Sequence, residues 1–188
     1  MIEPKCRSAA VPQAGSLIPA GSPVYVEECV MAKILIAYAG TAPVISVVHL
    51  AASQLREVGH CVTLAPAETA PDARHFDAVV VGSELFRHHW VRAVINYLKD
   101  QAPDLAERPT FLFECVTAKA ETFTPHNVQR LAFEIGTALP RTFETEKGTV
   151  CSRAAVEAWA HSIDAALSSR VEGLPTGYWA AADAVAVP

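Results

Sequence analysis

Two short runs in this chain, residues 34–38 (Ile-Leu-Ile-Ala-Tyr) and 78–81 (Ala-Val-Val-Val), are apolar at every position. A strand in a half-solvated sheet alternates apolar and polar residues, so uninterrupted runs of this length point to strands covered on both faces. Between and after them, apolar residues recur at helical spacing. Val44, Val47, Val48, Ala51, Leu55 and Val58 form one such series, stopped by Gly59, and Val94, Ile95 and Leu98 form a second, ending before Pro103. Cys61 to Leu64 alternates and suits an edge strand, while residues 110–113 (Thr-Phe-Leu-Phe), led by Pro109, give a fourth strand. Thr124-Pro125 predicts a helix start, with threonine as N-cap and proline in the first turn. Val128, Leu131, Ala132 and Ile135 supply that helix's buried face, and Gly136 closes it. Residues 139–145 predict a fifth strand, and Ser152 caps a last helix lined by Val156, Trp159, Ile163 and Leu167. Strands and helices in this alternation predict an α/β fold, a parallel sheet with helices on both faces.

The chain's 188 residues suffice for one ordinary domain and are too few for two. Residues 1–31, rich in Ala, Pro, Gly and Ser, predict an irregular arm, with Met31 directly before the first strand; residues 32–170 form the domain, and residues 171–188 an apolar tail. Net charge is −5 with no basic run, which disfavours nucleic acid. No stretch approaches the roughly 20 apolar residues of a membrane span. Five scattered cysteines without a Cys-x-x-Cys pair fit reduced thiols and a cytoplasmic location.

Several segments carry a family resemblance. Residues 32–39 (Ala-Lys-Ile-Leu-Ile-Ala-Tyr-Ala) resemble the first strand of flavodoxin-domain proteins, and residues 55–60 the end of their first helix. Residues 76–83 (Phe-Asp-Ala-Val-Val-Val-Gly-Ser) resemble their third strand, with Trp90 where a Gly-Ser…Trp loop enters the next helix, and residues 109–113 follow at the usual interval. The pattern is most similar to flavodoxin-like proteins related to menaquinone-dependent protoporphyrinogen oxidase.

The resemblance implies a doubly wound, five-stranded parallel sheet of order 2-1-3-4-5, with FMN outside the carboxyl ends of the strands. Three loops then matter: residues 39–43, 83–89 and 114–119. With the adjoining Trp90 they offer Gly40, Thr41, Ala42, Ser83, Glu84, Phe86, Arg87, Trp90, Cys115 and Thr117 as cofactor-binding residues, with Phe86 or Trp90 against the flavin ring. The implied activity is that of an FMN-dependent oxidoreductase or electron-transfer flavoprotein, with its redox partner open and a homo-oligomer possible. The chain departs from the family in the phosphate loop. A gap-free alignment sets the family's Ser/Thr-x-x-Gly-x-Thr on Gly40-Thr41-Ala42-Pro43-Val44-Ile45. Proline there removes a backbone donor, and valine and isoleucine replace hydroxyls. Two or three lost charge-assisted bonds at about 1.5–3 kcal/mol each weaken a phosphate's hold steeply. A cofactor-free flavodoxin-like interaction or subunit domain is the alternative expectation.

Beyond flavin binding little suggests catalysis. His88 and His89 lack further carboxylate or thiolate ligands nearby in sequence, which disfavours a metal. Cys115 reads first as a small buried apolar side chain, with a nucleophilic role partnered by His88 or His126 as the lesser alternative. Gly-x-Gly-x-x-Gly, Gly-Lys-Ser/Thr and Gly-x-Ser-x-Gly signatures are missing from the sequence.

Overall fold

The computed structural model describes residues 32–117, 124–146, 149–150 and 152–171. The predicted arm (1–31), most of the tail and residues 118–123, which include the end of the third loop, lie outside these residues.

The first strand, β1 (Lys33–Ala39), leads through Gly40 and Thr41 into helix α1 (Ala42–Glu57). Strand β2 (Cys61–Pro66) follows, then β3 (Ala78–Phe86), a two-residue strand β4 (His89–Trp90), and helices α2 (Arg92–Asp100) and α3 (Ala102–Ala106). The remainder comprises β5 (Thr110–Thr117), α4 (His126–Ile135), β6 (Arg141–Glu146), β7 (Thr149–Val150) and α5 (Arg153–Val171). Five strands run parallel in the order β2-β1-β3-β5-β6, the order implied by the resemblance. The sheet is not limited to those five, because β4 and β7 add short antiparallel pairings to β3 and β6.

Strand periodicity splits the core in two. Leu35, Ala37, Val79, Val81 and Leu112 face α2 and α4, meeting Val94, Leu98, Val128 and Leu131. Ile34, Ile36, Val80 and Phe113 face α1 and α5, meeting Val44, Val48, Leu55, Val156 and Ile163. Because both faces of β1 and β3 are covered, every residue of each run must be apolar. On the α5 side, Phe113, Phe143 and Trp159 pack edge to face, with centroids 5.4–6.1 Å apart.

Local departures from the sequence expectations have physical causes. The third strand does not stop at Gly82 but continues to Phe86. Gly82 lies opposite Phe113 in the ladder, and a Cβ there would meet the Phe113 ring at 2.1 Å, so the glycine makes room for an aromatic ring inside a continuous strand. Pro103 does not merely end a helix; it sits in the first turn of α3, where its missing N–H leaves nothing unsatisfied. Pro125, not Thr124, occupies the cap position of α4. The fifth parallel strand begins at Arg141, past Pro140, which cannot donate to the ladder. Ser152 does cap α5, its Oγ accepting the Ala155 N–H at 3.2 Å.

Candidate functional site

The carboxyl ends of β1, β3 and β5 lie side by side. The ladder sets Ala39 against Ser83, Ser83 against Glu114 and Glu84 against Cys115. Nearly all the residues named from the three loops gather at this edge, and strand alternation decides which face each one serves.

On the α1 face, β1 turns at Gly40 with φ of 151°, a conformation that favours glycine. Thr41 then occupies the cap position of α1 in an extended conformation, but its side chain makes no capping bond to the helix. Instead Thr41 donates outward twice: its N–H reaches Glu84 Oε2 at 3.2 Å and its hydroxyl reaches the same oxygen at 2.9 Å. Ala42 opens the helix, Pro43 is buried in its first turn, and Val44 is fully buried beneath. The first turn of α1 holds no acidic residue, so the Glu84 carboxylate supplies the negative charge that a helix start favours. A Cβ on Gly40 would lie 2.6 Å from Val44 Cγ2 and 3.1 Å from Glu84 Cβ, so only glycine fits at this turn.

On the α2 face, Ser83 is fully buried, donates to the Glu84 carbonyl at 3.0 Å and accepts the Val91 N–H at 3.0 Å. β3 then folds back on β4 as a tight hairpin, Leu85 opposite Trp90 and Phe86 opposite His89. The two turn residues, Arg87 (φ 47°) and His88 (φ 65°), are left-handed, as a two-residue hairpin turn requires. Trp90 therefore does not open onto a helix entrance with a free face. It is 5% exposed, packed among the core side chains on the α2 face, and its indole N–H donates to Glu114 Oε2 at 2.8 Å. Phe86 faces the other way. It is 63% exposed, with the Arg87 guanidinium 5.2 Å from its ring centroid.

Glu114, buried on the same face, joins these pieces. One oxygen takes the Trp90 indole; the other accepts the Thr142 hydroxyl at 3.1 Å and lies 3.5 Å from that of Thr124. A buried carboxyl with no donors would be very costly, and here hydroxyls and an indole from β4, β6 and the approach to α4 satisfy it. Glu114 heads the third loop but is not among the cofactor-binding residues expected from the sequence; its signal there is an acidic residue inside an otherwise apolar strand. Cys115 is 1% exposed, and its thiol is pushed up to about 12, by burial first and then by the charges of Glu84 and Glu114. A thiol held neutral in this way is no nucleophile near neutral pH. Thr117 is exposed at the end of β5. Among the described residues no group of His, Cys, Asp and Glu is arranged to hold a metal, and no helix is long and apolar enough to cross a membrane.

A fit to FMN can be tested on this geometry. A phosphate at the start of α1 would need the Thr41 N–H and hydroxyl, both given to Glu84, and would face that carboxylate at close range. At 4 Å two like unit charges repel by about 4 kcal/mol near a protein surface. The residues present do not fit the phosphate end of the cofactor.

A family model described as "Flavodoxin domain" matches residues 45–153, more than half of the chain. No curated protein matches it. Among solved structures, the rubredoxin:oxygen oxidoreductase of Desulfovibrio gigas is similar with a TM-score of 0.59 and 16% identity, over 74% of this chain. This chain spans only 37% of that oxidoreductase. Flavodoxin 2 of Bacillus cereus (TM-score 0.55, 21% identity) is matched over 74% of this chain and 99% of its own. The FMN-bound flavodoxin of Fusobacterium nucleatum (TM-score 0.51, 14% identity) is matched over 72% and 99%. Identities this low carry the fold alone. With the family model covering residues 45–153 of a sheet in this strand order, the chain belongs to the flavodoxin-domain family.

Proposed function

We propose that this protein is a flavodoxin-like module with a degenerate phosphate loop, working as an interaction or subunit domain and not as an FMN-dependent electron carrier. The observation that carries this reading is the Glu84 carboxylate bonded to both donors of Thr41. Pro43, Val44 and Ile45 add no hydroxyl, Pro43 has no N–H to give, and the family match begins only at Ile45. The contact element of such a module is the β3–β4 hairpin. Its tip presents Phe86 under Arg87, and it keeps Arg87 and His88 in left-handed backbone, where Asn-Gly would cost less.

The same Phe86 supports the second reading, an FMN-binding oxidoreductase or electron-transfer protein akin to the menaquinone-dependent protoporphyrinogen oxidases. In it, Phe86 would cover the flavin ring and Thr117 would bond its edge; the flavin would supply the redox chemistry while this chain orients the ring and excludes water. An absorbance spectrum of the purified protein, with FMN titrated in, separates the two. A colourless protein that ignores added FMN is expected. A yellow protein carrying stoichiometric FMN would overturn the first reading and establish the second.

A further inference from the structure

The start of α1 has the ingredients of an anion seat, namely a helix N-terminus with the Thr41 N–H and hydroxyl at its cap, yet both of those donors are turned toward one side chain of the same chain. We propose that Glu84 is the resident anion of this seat, an intramolecular occupant that keeps phosphate-bearing ligands out of the crevice. The inference rests on the cofactor-free reading above and names the residue responsible.

Three independent features point to Glu84. The first is the donor count. Thr41 is the cap residue of a sixteen-residue helix, a position whose hydroxyl ordinarily accepts a helix N–H. Here that hydroxyl donates to Glu84 Oε2, and the Thr41 N–H donates to the same oxygen. The second is charge. No acidic residue lies in the first turn of α1, and among the described residues no ion pair involves Glu84. Its compensation is therefore the helix start itself, where a carboxylate and a phosphate compete for the same field. The third is proximity. A Cβ on Gly40 would lie 3.1 Å from Glu84 Cβ, so the Glu84 side chain starts directly against the turn, and a phosphate held by the Thr41 donors would have to displace its carboxylate. Strand geometry places Glu84 within reach of the turn. Alternation along β3 sends Ser83 to the α2 face and Glu84 to the α1 face, one residue past the level of Ala39, directly opposite the turn.

The proposal predicts a latent seat that one substitution opens. The full chain is compared with Glu84→Ala and Glu84→Gln, using inorganic phosphate, FMN and riboflavin as probes. Phosphate binding is read as a rise in Tm over chloride at matched ionic strength, and flavin binding as quenching of tryptophan fluorescence. In the natural sequence phosphate should leave Tm unchanged, and FMN should bind no better than riboflavin. In Glu84→Ala a phosphate-dependent rise in Tm should appear, and the FMN-to-riboflavin affinity ratio should increase by about tenfold or more. Adding Thr41→Val to Glu84→Ala should cancel both gains. Glu84→Gln, which keeps the shape, should give a smaller gain and guards against loss of folding in the alanine variant. If both variants are folded and neither gains phosphate or FMN affinity, Glu84 is not the excluding residue and the inference fails, while the cofactor-free reading stands. If the natural protein itself prefers FMN to riboflavin, the cofactor-free reading falls and the inference with it.

Discussion

The loop after β1 and the hairpin after β3 sit at the same edge of the sheet and solve opposite problems. In the first, the donors that a flavodoxin fold would aim at a ligand are consumed internally by Glu84. In the second, Trp90 and Ser83 fasten the hairpin's base while its tip is left exposed and strained, with Phe86 in solvent and two residues at positive φ. A helix start whose cap N–H and hydroxyl are already paired gains less from a ligand than a tip with unspent apolar surface and stored strain. The difference shifts attention from the phosphate end of the crevice to the hairpin as the working surface.

The largest test of that contrast concerns how the hairpin is anchored. Trp90→Ala removes a core indole and leaves the buried Glu114 short of a donor, so a loss of about 3–5 kcal/mol is expected. Replacing His88 and His89 together with alanine touches only exposed imidazoles and should change stability by less than about 0.5 kcal/mol. Urea denaturation of the two variants decides it. Comparable losses would mean that the tip is itself structural, and the division between fastened base and free tip would be wrong.

How much of this was visible in the sequence depends on whether the controlling interaction is local. β1 and β3 were legible because burial on both faces forces every residue to be apolar, and the α1 and α5 patterns because one helical face repeats. The Glu84–Thr41 contact joins residues 43 apart and leaves no period. The hairpin was hidden for another reason: its turn reads Arg-His where hairpins of this geometry favour Asn-Gly, so the usual signal was missing. Gly82 in the sequence looks like a strand end, because glycine commonly ends strands, and only the Phe113 ring across the ladder shows why the strand runs through it. The sequence leaves Phe86 and Trp90 as equal candidates for a flavin face, because the Trp90 partner, Glu114, is set by pairing across β3 and β5, which the sequence does not display.

A second test probes the closed side through acid–base behaviour. Cys115 is raised to about 12 by burial and by Glu84 and Glu114, and Tyr97 is raised to about 12 by burial and then Asp72. Both groups are neutral when protonated and hold their protons more tightly in the folded protein. Their contribution to stability is therefore complete below about pH 9 and is lost as pH rises from there toward 12. Urea midpoints measured across this window should fall, and Cys115→Ala should remove the thiol's share. Glu84→Gln should make that share smaller, because one of the charges holding the thiol up is gone. A window unaffected by Glu84→Gln would place the carboxylate farther from Cys115 than its ladder position indicates.

The smallest expected effect concerns the strained tip, and it separates fold from use most cleanly. Arg87 and His88 occupy left-handed backbone that costs a side-chain-bearing residue roughly 1–2 kcal/mol, whereas asparagine tolerates it and glycine adopts it freely. Arg87→Asn with His88→Gly should therefore stabilise the protein, by about 1 kcal/mol once the added chain entropy of glycine in the unfolded state is counted. The base of the hairpin should be untouched, since the Trp90–Glu114 and Val91–Ser83 bonds do not involve the turn residues. What the exchange removes is the guanidinium over Phe86 and the imidazole beside it. If the tip is the contact surface, the variant should be more stable and yet lose its partner, a combination that a merely structural turn cannot produce. A stabilised variant with every association of the natural protein intact would leave the tip without a use, and the contrast between the two loops would reduce to one of geometry.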